Sequence, residues 1–432
     1  MENYGGIVKK LDEWVEDHIN DLVDFVCKLI RVDTSVPPGK NYDKIAELIA
    51  NKLNEIGIKA ELHEIPEKLL IEKMKEDGIT DISEPRINVV AYLEGKERKP
   101  KVLTNGHTDV VPARPDKWSV DPFKGVVKNG RIYGRGSSDM KGSLGAMIYS
   151  MWAFKDLNIK LNGDIVATFT TDEEFGGYTG IRYFIDKGII NKDMDYCIST
   201  DGTIEEINIA YLGDVEVVIT VWGKPYHSGT GWRGVNAIEH AASLINRLVE
   251  LGKKIGERRS KIPIKPIDDV KHMRPGLYVN VIEGGIASNI IPYKCVIIVD
   301  RRMIPEENLE DSLEEIREVI NEYVKERPEV SIDMHHIAYY PPGGLDPDHP
   351  LVKIVKEAAK EVLGEELLAV GGQGSTDVTF ISALGIPTVC IGVGREESNA
   401  HGVDENIRIE DLKALTKILI RCYVRLLGVA DA

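Results

Sequence analysis

The chain has 432 residues, more than one hydrophobic core usually organises, so two domains are expected. With 54 basic against 70 acidic residues its net charge is −16, which argues against a nucleic-acid binder needing a basic face. No run of about eighteen consecutive apolar residues occurs, and the first residues show no basic stretch leading into an apolar one. Cys27, Cys197, Cys295, Cys390 and Cys422 are odd in number and far apart, as free thiols in a reducing compartment would be, and the expectation is a cytoplasmic protein.

Apolar residues recur at helical spacing over 7–31 (Leu11, Trp14, Leu22, Val26, Leu29) and again over 43–56, where Gly57 supplies a stop. Short β-branched runs follow at 87–93, 101–104, 165–170 and 196–200, with helices expected at 142–156 and around 179–188. Strands alternating with helices indicate an α/β layer around a mostly parallel sheet with helices on both faces. After residue 212 the pattern changes to strands at 215–222, 277–283, 295–300 and 330–336, with helices at 237–251 and 306–325. That reads as an α+β domain, residues 213–343, inserted into a discontinuous domain made of 1–212 and 344–432. The alternation then resumes with a helix at 349–363, a strand at 388–392 and a helix at 410–427. The stretch 66–87 is longer than a simple strand-to-strand connection requires.

Chemistry-bearing residues gather just after the strands of the first domain. They are His107 and Asp109 after 101–104, Glu173 and Glu174 after 165–170, Asp201 after 196–200, and His401 beyond 388–392. Asp139 stands directly ahead of the helix at 142–156. In an open α/β sheet, ligands bind beyond the carboxyl ends of the strands, and parallel strands open all these loops onto one edge. Imidazole nitrogen and carboxylate oxygen together suit borderline divalent cations, and a carboxylate can bridge two ions where a neutral imidazole binds one. Any single piece has a bland explanation, since a Gly-His-x-Asp loop or a Glu-Glu pair is more often solvated surface. Five candidates at successive strand ends make coincidence the weaker explanation.

The stretches Gly106-His-Thr-Asp-Val-Val-Pro112, Gly136-Ser-Ser-Asp-Met-Lys-Gly142, Thr171-Asp-Glu-Glu174 and the late His401 resemble the signature of the M20 metallopeptidase family. This is the group of acetylornithine deacetylase, succinyl-diaminopimelate desuccinylase, aminoacylase and glutamate carboxypeptidase. The resemblance implies two divalent ions, zinc by default with cobalt or manganese also suited. His107, Asp139, Glu174, Asp201 and His401 would be the ligands, Asp139 bridging and followed by a cis peptide bond. It implies that Asp109 orients the His107 ring and that Glu173 is the general base. His227 would donate to the oxyanion from the inserted domain, often that of a partner subunit. Asn289, Arg302, Gly374 and Ser375 would contact the substrate, with Arg302 suited by its planar fork to a carboxylate.

The inserted domain would then serve as a lid and dimerisation domain of a homodimer. The implied activity is hydrolysis of the amide bond of an N-acyl amino acid, with a dipeptidase or carboxypeptidase acting on short peptides as the alternative. Asp201 departs from the pattern in being followed by Gly-Thr rather than Pro-Thr, which weakens any particular substrate. A different class, a metal-bearing binding protein without catalysis, is disfavoured because a structural site has no need of the spare carboxylate of Glu173. A nucleotide site is weaker still, since no Gly-x-x-x-x-Gly-Lys-Ser/Thr occurs.

Overall fold

A computed structural model describes residues 4–76, 85–176 and 178–430. Two compact units make up the chain: Met1–Ile209 with Leu345–Val370 and Phe380–Ala432, and Ala210–Gly344 with Gly371–Thr379.

The first unit opens with helices α1 (Tyr4–Arg31) and α2 (Tyr42–Glu55), whose apolar stripes are buried, followed by β1 (Lys59–Glu64) and α3 (Glu67–Glu76). Then come β2 (Ile87–Leu93), β3 (Lys101–His107), α4 (Gly142–Asp156), β4 (Asp164–Thr170), α5 (Ile181–Asp186), β5 (Tyr196–Ser199) and β6 (Glu206–Tyr211). Helix α4 is apolar nearly all round, as expected of a helix enclosed by others, and it packs between α1 and the last helix of the chain. A Cβ on its Gly145 would lie 2.5 Å from Val26 of α1, so glycine there permits the close approach.

The second unit is built on β7 (Gly213–Trp222), α6 (Ala237–Gly256), β8 (Gly276–Gly284), β9 (Lys294–Met303), α7 (Leu309–Glu326) and β10 (Ser331–Tyr340). Its four strands form an antiparallel sheet in the order β8-β9-β7-β10. Alternate residues (Val215, Val217, Ile219, Val221, Cys295, Ile297, Val299) turn inward against Leu244 and Leu248 of α6 and Ile316 and Ile320 of α7. Asn236 and Asn308 cap the two helices by accepting from main-chain amides of their first turns.

Back in the first unit, α8 (Pro350–Leu363), β11 (Leu368–Gly372), β12 (Thr388–Cys390) and α9 (Ile409–Leu427) complete the fold. The large sheet runs β1-β2-β4-β3-β5-β12-β6, with β11 also beside β6. Its centre, β4-β3-β5-β12, is parallel throughout. Strands β1 and β2 on one side and β6 on the other pair antiparallel, a refinement of the mostly parallel sheet expected from the alternation of elements. No helix among the described residues is long and apolar enough to cross a membrane.

Candidate metal centre

The parallel arrangement fixes where the loops open. His107 is the last residue of β3 and is buried. Glu173 and Glu174 lie in a short 3-10 turn, Glu173–Phe175, just beyond β4. Asp201 stands two residues past β5, and the loop after β12 carries His401. Asp139 sits in the tight turn Ser137–Lys141 that enters α4, and its peptide bond to Met140 is cis.

These side chains meet. His107 Nε2 is 3.0 Å from Asp139 Oδ1, while His401 Nε2 is 3.1 Å from Asp139 Oδ2 and 3.0 Å from Glu174 Oε1. Asp139 thus gives one carboxylate oxygen to each imidazole. His107, Asp139 and Glu174 offer atoms within 4.8 Å of one another, and so do His107, Glu173 and Asp201. The donor set is imidazole nitrogen and carboxylate oxygen on adjoining positions, which is the chemistry that divalent zinc, cobalt or manganese accepts.

The electrostatics point the same way. Burial pushes the Glu174 carboxyl up to about 7. Hydrogen bonds to Asp139 and Glu174 raise the His401 imidazole to about 10. Burial opposes charge on His107 as well, yet Asp109 and Asp139 hold its ring well above the usual histidine range. The Asp139 carboxyl, also buried, is kept below its usual value by the two histidines. The carboxylates therefore favour positive charge at each imidazole, the charge that a cation brings.

Asp109, fully buried, ties two of these loops together. Its carboxylate accepts from the main-chain amides of Glu173 at 3.3 Å and Glu174 at 3.0 Å. His107 Nδ1 lies 3.1 Å from the Asp109 main-chain oxygen and 3.6 Å from its carboxylate. The nearer acceptor for the ring is thus the carbonyl, and that contact leaves Nε2 facing Asp139.

A second buried link had no reading in the sequence. Glu405 accepts from the amides of Gly136, Ser138 and Asp139, and Arg135 pairs with Glu405 while donating to the main-chain oxygens of His401 and Gly402. Both residues belong to motif stretches, but a charge in a polar loop reads as solvated. The only signal was their proximity in sequence to Asp139 and His401.

The remaining candidates belong to the second unit. His227 is exposed and pairs through its backbone with Ile290, beside Asn289, whose carbonyl accepts from Ser228. Its Nδ1 accepts from Gly229 N at 3.0 Å, so the neutral ring carries its proton on Nε2 and is a donor there. Arg302 already has partners, Asp300 at 2.8 and 3.1 Å, Ser375 at 3.1 Å and Asp214 at 3.4 Å. Arg301 alternates to the buried face and pairs with Glu307. Gly374 accepts from Leu212 N through its carbonyl.

Comparison with known proteins gives the family and the fold. Residues 103–425 match the model of peptidase family M20/M25/M40. The chain is 28% identical to N-formyl-4-amino-5-aminomethyl-2-methylpyrimidine deformylase of Bacillus subtilis, over 96% of each protein. A probable succinyl-diaminopimelate desuccinylase of Staphylococcus epidermidis is 29% identical over 76% of this chain and 84% of its own. Among solved structures, an M20 family metallo-carboxypeptidase from Sulfolobus solfataricus aligns with a TM-score of 0.72 at 21% identity, covering 94% of this chain and 99% of that one. Since the family match takes in well over half of its length, the chain belongs to peptidase family M20/M25/M40 and is a hydrolase of that family.

Proposed function

We propose that this protein is a metal-dependent N-deacylase that hydrolyses the amide bond of a small N-acyl compound, an N-acyl amino acid in the leading reading. The observation that carries it is the division of the Asp139 oxygens between His107 and His401, with Glu173 and Glu174 alongside. His107, Asp139, Glu174, Asp201 and His401 would hold two divalent ions, zinc by default. Ions held there would polarise the amide carbonyl and lower the pKa of bound water to roughly 7.

Glu173 takes a proton from the attacking water on its carboxylate and returns it to the nitrogen of the departing amine. Asp109 holds the main-chain amides of Glu173 and Glu174 in place for that transfer. His227 donates from Nε2 to the oxyanion, and its place in the inserted unit is the reason to propose a homodimer in which it serves the partner's site. Sedimentation that finds a fully active monomer defeats the dimer.

The two relatives named above from sequence are deacylases by name, a deformylase and a desuccinylase, which supports acyl removal over peptide cleavage. The solved carboxypeptidase, at 21% identity, speaks for the fold alone. A second reading keeps the reaction and changes the amine half to one without a carboxylate. It is favoured by Arg302, which meets the carboxylates of Asp300 and Asp214 and would have to exchange them to take an anionic substrate.

The test is a panel of N-acetyl and N-succinyl amino acids, N-formyl amines and dipeptides, assayed on protein reconstituted with zinc, cobalt or manganese. Release of an acyl group supports the proposal, and the preferred amine separates its two forms. Cleavage of dipeptides alone overturns both.

A further inference from the structure

Arg86, the last residue but one of the stretch 66–87, is fully buried and carries a charge. Its Nε donates to Asp172 Oδ2 at 2.7 Å, and its Nη2 to the carbonyl of Pro38 at 2.8 Å. Two more buried groups meet the same carboxylate: Tyr42 Oη donates to Oδ1 at 2.6 Å and Thr179 Oγ1 to Oδ2 at 2.7 Å. The guanidinium also lies 5.2 Å from the centre of the Tyr42 ring. Room for it is made at Gly39, where a Cβ would come within 2.7 Å of the guanidinium carbon.

Asp172 is the residue immediately before Glu173, and its backbone is left-handed, φ 59° and ψ 27°. Few non-glycine residues adopt that conformation, though aspartate does so more readily than most, and a fully bonded side chain fixes it there. Here the bonds come from the side chains that converge on its carboxylate. The turn at Asp172 sets the direction in which Glu173 and Glu174 leave β4. On the other side of that turn the two glutamate amides rest on Asp109. The turn is therefore gripped from both sides, by Asp109 through the main chain and by Arg86 and Tyr42 through Asp172.

We infer that Arg86, with Tyr42, is a positioning residue for the reaction: by locking the left-handed turn at Asp172 it aims the carboxylates of Glu173 and Glu174 into the metal centre. Neither residue touches the reacting atoms, and both act through Asp172. The inference rests on the proposed deacylase reading for its catalytic half. Its metal-binding half stands without it.

The experiment compares wild type with Arg86→Lys and Tyr42→Phe. Lysine keeps the charge without the planar fork that reaches both Asp172 and Pro38, and phenylalanine keeps the ring and removes one hydroxyl. Metal-free proteins, checked for folding by circular dichroism, are titrated with Zn²⁺ against a competing chelator. The reconstituted proteins are then assayed for kcat and KM. In both variants Zn²⁺ affinity is expected to fall about tenfold or more, the usual cost of losing support behind a ligand. The kcat is expected to fall about tenfold with KM little changed, as for a lost transition-state contact.

Variants that bind Zn²⁺ and turn over like wild type, showing only a lower melting temperature, overturn the inference and leave Arg86 a structural residue. If Arg86→Lys does not fold, Tyr42→Phe decides alone. Should wild type hydrolyse no amide at all, the deacylase reading fails and the Zn²⁺ titration still decides the positioning role.

Discussion

Arg135 and Glu405 stand 270 residues apart in sequence and meet as an ion pair at 2.6 Å, both almost wholly buried. Their bonds run onward in opposite directions, Glu405 to the amides under Asp139 and Arg135 to the carbonyl of His401. One charged pair therefore sets the spacing of two candidate ligand loops. Removing one partner leaves the other charge buried and alone. Glu405→Ala is expected to lose about 3–5 kcal/mol of stability in denaturant titrations, together with metal content measured by elemental analysis. A loss below about 1 kcal/mol, the range of exposed pairs, would contradict the burial argument.

Glu173 offers a carboxylate oxygen within 4.8 Å of donor atoms of His107 and Asp201, where the proposed reaction needs its base. Glu173→Gln keeps its shape and removes its basicity. Turnover is expected to fall by about 10²–10⁴-fold, the span of general base catalysis, with bound metal unchanged by elemental analysis. Full activity in that variant would remove Glu173 from the reaction.

Metal dependence separates catalysis from simple binding. Chelation should abolish hydrolysis, and zinc, cobalt or manganese should restore it. His401→Ala removes the group that joins Asp139 to Glu174 and is expected to lower the bound metal by about one ion per chain, because the retained donors no longer complete that coordination. An unchanged stoichiometry would place the second ion elsewhere.

A pH effect is expected in the second unit. Burial first, then the neighbouring Asp300 charge, pushes the Asp214 carboxyl up from 3.8 to about 6 despite Arg302. The folded state thus binds this proton more tightly than the unfolded chain. The stability it contributes is present below about pH 4, declines as pH rises to about 6, and stays lost above that. Asp214→Asn should remove this slope. The wild-type-minus-variant difference in unfolding free energy is expected to change by up to about 3 kcal/mol between pH 4 and 7. A difference that does not vary with pH would show that Asp214 titrates at its ordinary value.

Much of this fold is legible from periodicity. The helix expected at 142–156 and the strand at 87–93 coincide with Gly142–Asp156 and Ile87–Leu93, since each is a long, strongly apolar segment with clear stops. Strands Lys59–Glu64 and Glu206–Tyr211 went unread. The first is a half-exposed edge strand and the second a short buried run, and neither alternates over enough residues to stand out. Four of the candidate ligands could be read because each follows a strand of the parallel centre, and Asp139 because it stands directly ahead of a strongly apolar helix. Arg135, Glu405, Arg86 and Tyr42 could not, because a charge or hydroxyl counts as buried only once its distant partner is known. Arg302 is the opposite case: its residue type points to an anionic ligand, and only the fold reveals Asp214 and Asp300 beside it.

The order in which the chain delivers its site has a consequence for how the protein is made. His107, Asp139 and Glu174 precede the inserted unit in the chain, whereas His401 and Glu405 follow it and are synthesised after it. The proposed cluster cannot close before the segment that carries His401 and Glu405 has been synthesised. Loading of the proposed full site must accordingly wait for that segment, and a chain that stops before residue 401 is expected to form no complete centre.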